Sequence, residues 1–268
     1  MAIALTYPAD GAVFVAGGGV VGNAVVRKLA AAGLPVVFGY LNQRERAQAL
    51  VDELRAQGMR VQAERVDLTD SDSVREALQG VEQRYGRLHT VIYAAGPTLA
   101  FQPIRDLAPE RMQQFLLGDT MGCYRLFHHA IPLLVRGGGG SLTACATMAN
   151  QRVIDNDALS SMPKAAIEAL VRQIAAEEAP RRVRANAIGI GWIGGWATSF
   201  EEARAACAQM PPEVAATVSP MIEQMISLIR MQRPGAAGEA ADLIAYLASD
   251  QASYVTGRTV ALDGGASL

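Results

Sequence analysis

Apolar positions along the chain fall in short unbroken runs separated by stretches with helical spacing. GAVFVAG (11–17), LPVVFGY (34–40), RVQAERVD (60–67), LHTVIYAAG (88–96), GSLTACAT (140–147) and VRANAIGIG (183–191) read as buried strands, and GRTVALDGG (257–265) closes the series. Between them, residues 23–33, 43–57, 70–85, 107–135 and 157–178 place apolar side chains on one helical face. Strands that are apolar on both faces and alternate with helices predict a parallel sheet covered on each side. The expectation is an α/β, Rossmann-type doubly wound sheet in three layers, forming a single domain over residues 1–268. One segment breaks the alternation: residues 194–236 are helical and rich in Met, and are expected to form an inserted helical lid over a substrate. RGGGGS (136–141) lacks the Lys-Ser/Thr of a phosphate loop and reads as a turn entering a strand.

Composition narrows the function classes. Half of the 268 residues are apolar and 19% are charged, which suits a packed globular protein. A net charge of −2 gives no broad attraction to nucleic acid or anionic lipid, so the expected ligand is a small molecule. Cys123, Cys145 and Cys207 are odd in number and widely spaced, implying neither a disulfide framework nor a zinc site. The first residues lack a basic stretch and their apolar run is broken by glycines, so no signal peptide or anchor is expected and a cytoplasmic setting fits.

The chemistry begins at Gly17, Gly19 and Gly22, a G-x-G-x-x-G directly after the first strand and before a helix. Such glycines allow a tight turn and bring unpaired backbone N–H groups at a helix start close to a diphosphate. The second strand ends at Tyr40 with no Asp or Glu to bond an adenine ribose 2′-hydroxyl. The cofactor expected is therefore NADP, with NAD as the alternative, and Arg44 and Arg46 stand where a 2′-phosphate would lie unless they are merely solvated.

Taken with Asp67-Leu68, Tyr93-Ala94-Ala95-Gly96, Lys164, Asn186-Ala187-Ile188, Gly191, Ile193, Tyr254-Val255-Thr256-Gly257 and Asp263-Gly264-Gly265, the chain resembles the short-chain dehydrogenase/reductase family over essentially its whole length. The resemblance implies that Asp67 and Leu68 flank the adenine, Ala95 and Gly96 back the cofactor, Ile193 touches the nicotinamide amide and Lys164 holds the nicotinamide ribose. It also implies a homodimer or homotetramer packed through the helices at 107–135 and 157–178.

The departures concern the reacting groups. The family's Tyr, four residues before the Lys, is Ser160; its Ser position falls on Thr147; its Asn position falls on Asp119. The Pro-Gly after the sixth strand reads Ile190-Gly191, the following Thr reads Gly195, and the glycine turn is one residue tighter. An aliphatic hydroxyl at 160 is shorter than a phenol and a far weaker acid, and a positioned acid contributes about 10²–10⁴ in rate. Thr147 keeps a hydroxyl donor, while Asp119 is free to pair with Lys164 or act as a base. Tyr93 reads as a packing residue, and Tyr124 and the adjacent His128 and His129 as weak substitutes or metal ligands. Met210, Met221, Met225 and Met231 suggest an adaptable apolar cover for a bulky substrate, or else a core helix. The reading adopted is an NADP(H)-dependent oxidoreductase of a bulky apolar carbonyl or alcohol with a non-standard proton donor. Its alternatives are a non-redox acid–base enzyme (isomerase, dehydratase or cyclase) and a catalytically silent binding or assembly subunit. The expected catalytic set is Lys164, Thr147, Ser160 and Asp119, with no metal.

Overall fold

The computed structural model describes residues 4–96, 101–195 and 197–268, so Trp196 of the 194–236 segment and the first three residues lie outside the described part. Seven strands form one parallel sheet: β1 (Ala12–Ala16), β2 (Val36–Tyr40), β3 (Val61–Arg65), β4 (Leu88–Tyr93), β5 (Gly140–Thr147), β6 (Val183–Ile190) and β7 (Thr259–Leu262). Their order across the sheet is β3-β2-β1-β4-β5-β6-β7, with every neighbour parallel. All seven expected strands are present, in the expected doubly wound class.

Alternation along each strand divides the core into two. Phe14, Val37, Val91, Tyr93, Leu142 and Ala144 face α3 (Ser71–Tyr85), α5 (Met121–Arg136) and α6 (Ala158–Glu178). Val13, Val15, Val36, Phe38, Ile92 and Ile188 face α1 (Val20–Ala31), α2 (Arg44–Ala56) and α9 (Ala237–Ala248). Each apolar run thus serves two helical layers, which is why the strands carry so few polar residues.

Two departures from the expected elements matter. Residues 237–248 carry no expected element, yet they form α9, whose buried face is mostly alanine (Ala240, Ala241, Ala245, Ala248) with Ile244 and Leu247. Alanine leaves a weak periodic signal while giving high helix propensity. The expected single helix over 107–135 is interrupted: α4 (Pro109–Phe115) passes through a π turn at Leu116–Thr120 before α5 begins. The wide turn rotates Asp119 into the interior, where 1% of it is exposed. The Met-rich segment is helical, as α7 (Phe200–Ala208) and α8 (Pro212–Leu228).

Candidate active site

The carboxyl ends of β1, β4, β5 and β6 border a cleft of about 1160 Å³. It opens where the strand order reverses between β1 and β4, the usual place for a ligand in such sheets. Its wall includes Gly19, Ala95, Gly96, Thr147, Ser160, Lys164 and Ile193, so these expected site residues converge. Gly17 and Gly22 shape the turn from behind. Gly17 has φ +122°, and a Cβ there would lie 2.4 Å from the Ala94 carbonyl oxygen; a Cβ on Gly22 would lie 2.0 Å from the Gly17 oxygen. Gly18 and Gly19 instead meet open space, and Gly19 caps α1 without a side-chain bond. Close-packed glycines behind and bare backbone in front, at a helix start with no acidic residue in its first turn, fit a diphosphate.

The glycine turn and Gly195 pack against one another. The tight turn projects Val20, which is 52% exposed, and a Cβ on Gly195 would come within 3.0 Å of its Cγ2. With no side chain at 195, the Val20 side chain packs there without crowding.

Tyr40, Asp67 and Leu68 lie apart from the cleft wall, at the β2–β3 end of the sheet. Asp67 accepts from the Thr69 N–H at 2.9 Å and its hydroxyl at 2.7 Å, and these bonds hold its carboxyl below the ordinary range. Arg44 and Arg46 are exposed in the first turn of α2.

Behind the wall, Asp119 Oδ1 accepts from Lys164 Nζ at 2.9 Å and from the Tyr93 hydroxyl at 2.7 Å. Lys164 also donates to the Ala95 carbonyl at 3.4 Å, leaving one of its three donor directions for the cleft it lines. The expected pairing of Asp119 with Lys164 is present. So is a phenol near the ammonium, contrary to the expectation of a site without one: Nζ lies 5.2 Å from the Tyr93 ring centre. That phenol is fully buried and its proton is committed to Asp119. Burial first, and the Asp119 charge second, push its pKa well above the ordinary phenol value. Tyr93 therefore anchors Asp119 and does not offer its proton to the cleft.

Thr147 Oγ1 accepts from the Ala149 N–H at 3.2 Å, which leaves its own proton free to donate into the cleft. Cys145 also borders the cleft, and burial pushes its thiol up to about 12, so it stays neutral. From α8 the wall receives Val218, Met221, Ile222 and Met225, spaced as one helical stripe, with Met210 beside them. Met231 is 68% exposed and takes no part, while Ile226 and Ile229 are buried. The segment contributes side chains both to the cleft wall and to the interior.

One residue of the wall escaped sequence reasoning. Asp157, at the N-cap of α6, is 6% exposed, makes no capping bond and leaves Oδ1 without a partner. Burial raises its pKa to about 6, against an opposing hydrogen bond from Ser160. Its position three residues before Ser160 and seven before Lys164 was the available signal, since 157, 160 and 164 share a helical face.

A parallel sheet with this strand order, a glycine turn at the switch point and a lysine-bearing cleft defines a dinucleotide-binding α/β protein. Residues 15–267 match the family profile described as enoyl-(acyl carrier protein) reductase. The chain is 32% identical over 252 residues to 1-cyclohexenylcarbonyl-CoA reductase of Streptomyces collinus, covering 92% of this chain and 83% of that protein. A short-chain dehydrogenase/reductase from Mycobacterium ulcerans superposes with a TM-score of 0.85 at 27% identity, covering 98% of this chain and 91% of the other. A short-chain dehydrogenase from Burkholderia cenocepacia in complex with NADP gives a TM-score of 0.82 at 26% identity, covering 96% and 98%. The chain belongs to the short-chain dehydrogenase/reductase family. Among the described residues no helix is long and apolar enough to cross a membrane.

Proposed function

We propose that the protein is an NADP(H)-dependent reductase of apolar α,β-unsaturated acyl compounds, most simply thioesters. The observation that carries this reading is the hydroxyl-bearing face of the cleft, without a phenol among the described residues, where Thr147 and Ser160 line the wall with Lys164 under the methionines of α8. Reducing a ketone creates a localised alkoxide that demands a proton at oxygen, the task of the absent Tyr. Reducing a conjugated double bond creates an enolate whose charge is shared between oxygen and carbon. Hydrogen bonds from hydroxyls can hold such a charge while carbon is protonated separately.

Gly18 and Gly19 at the start of α1 would hold the diphosphate, with Ala95, Gly96, Ile193 and Lys164 at the nicotinamide end and Tyr40, Asp67 and Leu68 at the adenine end. Arg44 and Arg46, with no acid at the end of β2, favour NADP over NAD. Reduced nicotinamide dinucleotide supplies a hydride when bound. Thr147 donates to the substrate oxygen, Lys164 orients ribose hydroxyls, and Asp119 with Tyr93 fixes the lysine. Residues 194–236 act as a lid, excluding water through Met210, Met221 and Met225. The Streptomyces relative, named for a cyclohexenyl thioester, supports the substrate class. The NADP-bound Burkholderia structure supports the cofactor.

The test is consumption of NADPH by the full chain with cyclic and linear enoyl-CoA thioesters, 3-oxoacyl thioesters and simple ketones. Turnover of the unsaturated thioesters with little of the ketones is expected. Faster ketone reduction overturns the substrate class, and failure of fluorescence titration to detect NADPH or NADH binding overturns the redox reading.

A further inference from the structure

We infer that Asp157, acting through the hydroxyl of Ser160, supplies the proton that the missing phenol would have supplied. The inference rests on the reductase reading above and gives it a proton source. An Asp at a helix N-cap ordinarily accepts from the second or third amide of the helix. In α6 those bonds are absent: the Ser160 and Ser161 N–H groups donate to the Asp157 main-chain oxygen, at 3.1 and 2.9 Å, and no side-chain cap is made. The carboxyl is left in the cleft wall, 94% or more withdrawn from solvent, with Oδ1 unpartnered. A buried carboxylate with an unfilled acceptor is costly, whereas the neutral acid loses less by burial and carries a proton to give.

The groups around it leave that proton without a competing charge. The ionisable side chains bordering the cleft, among the described residues, are Cys145 on β5, and Asp157 and Lys164 at and within α6. Cys145 is neutral and Lys164 is held by Asp119. Arg152 donates to the Ala266 carbonyl, Asp155 is exposed, and the residues that α1 and α8 bring to the wall, among the described side chains, are apolar. The causes acting on Asp157 are burial, which raises its pKa to about 6, and the Ser160 hydrogen bond, which opposes it.

The transfer balances without further reagents. The Ser160 proton passes to the enolate carbon of the substrate, forming a C–H bond. The Asp157 proton passes to Ser160 Oγ, restoring the hydroxyl, and the resulting carboxylate takes a proton from solvent. No electrons move between these residues, since the reductant is the dinucleotide already named. Asp157 does not itself touch substrate, and so it is a positioning and proton-supplying residue.

The first measurement needs neither cofactor nor substrate. Carboxyl-labelled aspartate NMR, with the 157 signal assigned from Asp157→Asn, should give a midpoint near 6, well above an ordinary aspartate. Ser160→Ala should move that midpoint further up, because the opposing hydrogen bond is lost. The second measurement is the pH profile of kcat for an enoyl thioester. The wild-type rate should fall as pH rises above the midpoint, whereas Asp157→Asn should be about ten- to a hundredfold slower with a flat profile. A midpoint near 4, no response to Ser160→Ala, or a wild-type profile retained in Asp157→Asn would overturn the inference. If Asp157→Asn does not fold, the 157 signal is assigned from Asp157→Glu instead, and the midpoint in wild type against Ser160→Ala decides it. A chain that shows the raised midpoint and its shift but turns over no unsaturated thioester refutes the substrate class and supports the Asp157–Ser160 couple.

Discussion

The β1–α1 turn and the start of α6 border the same cleft, yet they carry function in different ways. On the proposed function, the ligand-facing groups at the turn are backbone amides, and the glycines matter for what they leave out: Gly17 and Gly22 sit where any Cβ would strike a carbonyl. At α6 the groups proposed to react are side chains, and they can change while the helix remains. Ser160 stands where the family resemblance places a phenol, and Asp157 makes no side-chain cap, while Ile167 and Val171 further along stay buried. Binding built on backbone is conserved by the fold itself, whereas chemistry built on side chains is exchangeable.

The contrast can be broken most severely at Asp119, which holds Lys164 of α6 and Tyr93 of β4 together behind the cleft wall. Asp119→Ala leaves a buried ammonium and a buried phenol without their acceptor, and should cost about 3–5 kcal/mol in denaturant unfolding. A loss under 1 kcal/mol would mean that water replaces the carboxylate. Next is Gly17→Ala, which adds a Cβ at positive φ against Ala94 and should cost about 1–3 kcal/mol, with dinucleotide binding abolished in fluorescence titration. Retained binding would show that the turn tolerates a side chain.

Ser160→Tyr sharpens the comparison from the other side. It should leave dinucleotide affinity unchanged and raise ketone reduction by about tenfold to a hundredfold, read as NADPH consumption. Combining it with Asp119→Asn should raise it further, because Asp119 cancels the lysine charge that would make a phenol acidic. No gain in a folded, NADPH-binding variant would refute this picture of the cleft.

The smallest expected effect concerns pH. The folded pKa of Asp157 lies above its unfolded value near 3.8, so its contribution to stability is full below that value and is lost as pH rises through about 6. Asp157→Asn removes this dependence. Relative to wild type it should gain on the order of 1–2 kcal/mol in urea unfolding between pH 4 and pH 8, after discounting the shift for partial solvent screening. An unchanged difference across that range would place the titration elsewhere.

The inner strands were legible because a parallel strand buried on both faces must be largely apolar, and the glycine turn was legible because its spacing reports a backbone need. The π turn was not, since LLGDTMGCY keeps ordinary helical spacing and only packing reveals the extra residue. Nor did sequence show that Tyr93 and Lys164 share one oxygen of Asp119, a contact between β4, the π turn and α6. Asp157 was hidden because its position in the chain marks a helix start, while its behaviour depends on what surrounds it. Helix α9 was hidden by its alanines.

The thioether side chains along α8 have a consequence for selection among guests. Met221 and Met225 are unbranched and re-form around whatever presses on them at little cost. A rigid ring and a straight tail should therefore be accommodated alike, and the shape of the greasy portion should weigh little. Discrimination must then come from the few polar atoms at the far end, where the geometry of an oxygen and its neighbouring carbon is read.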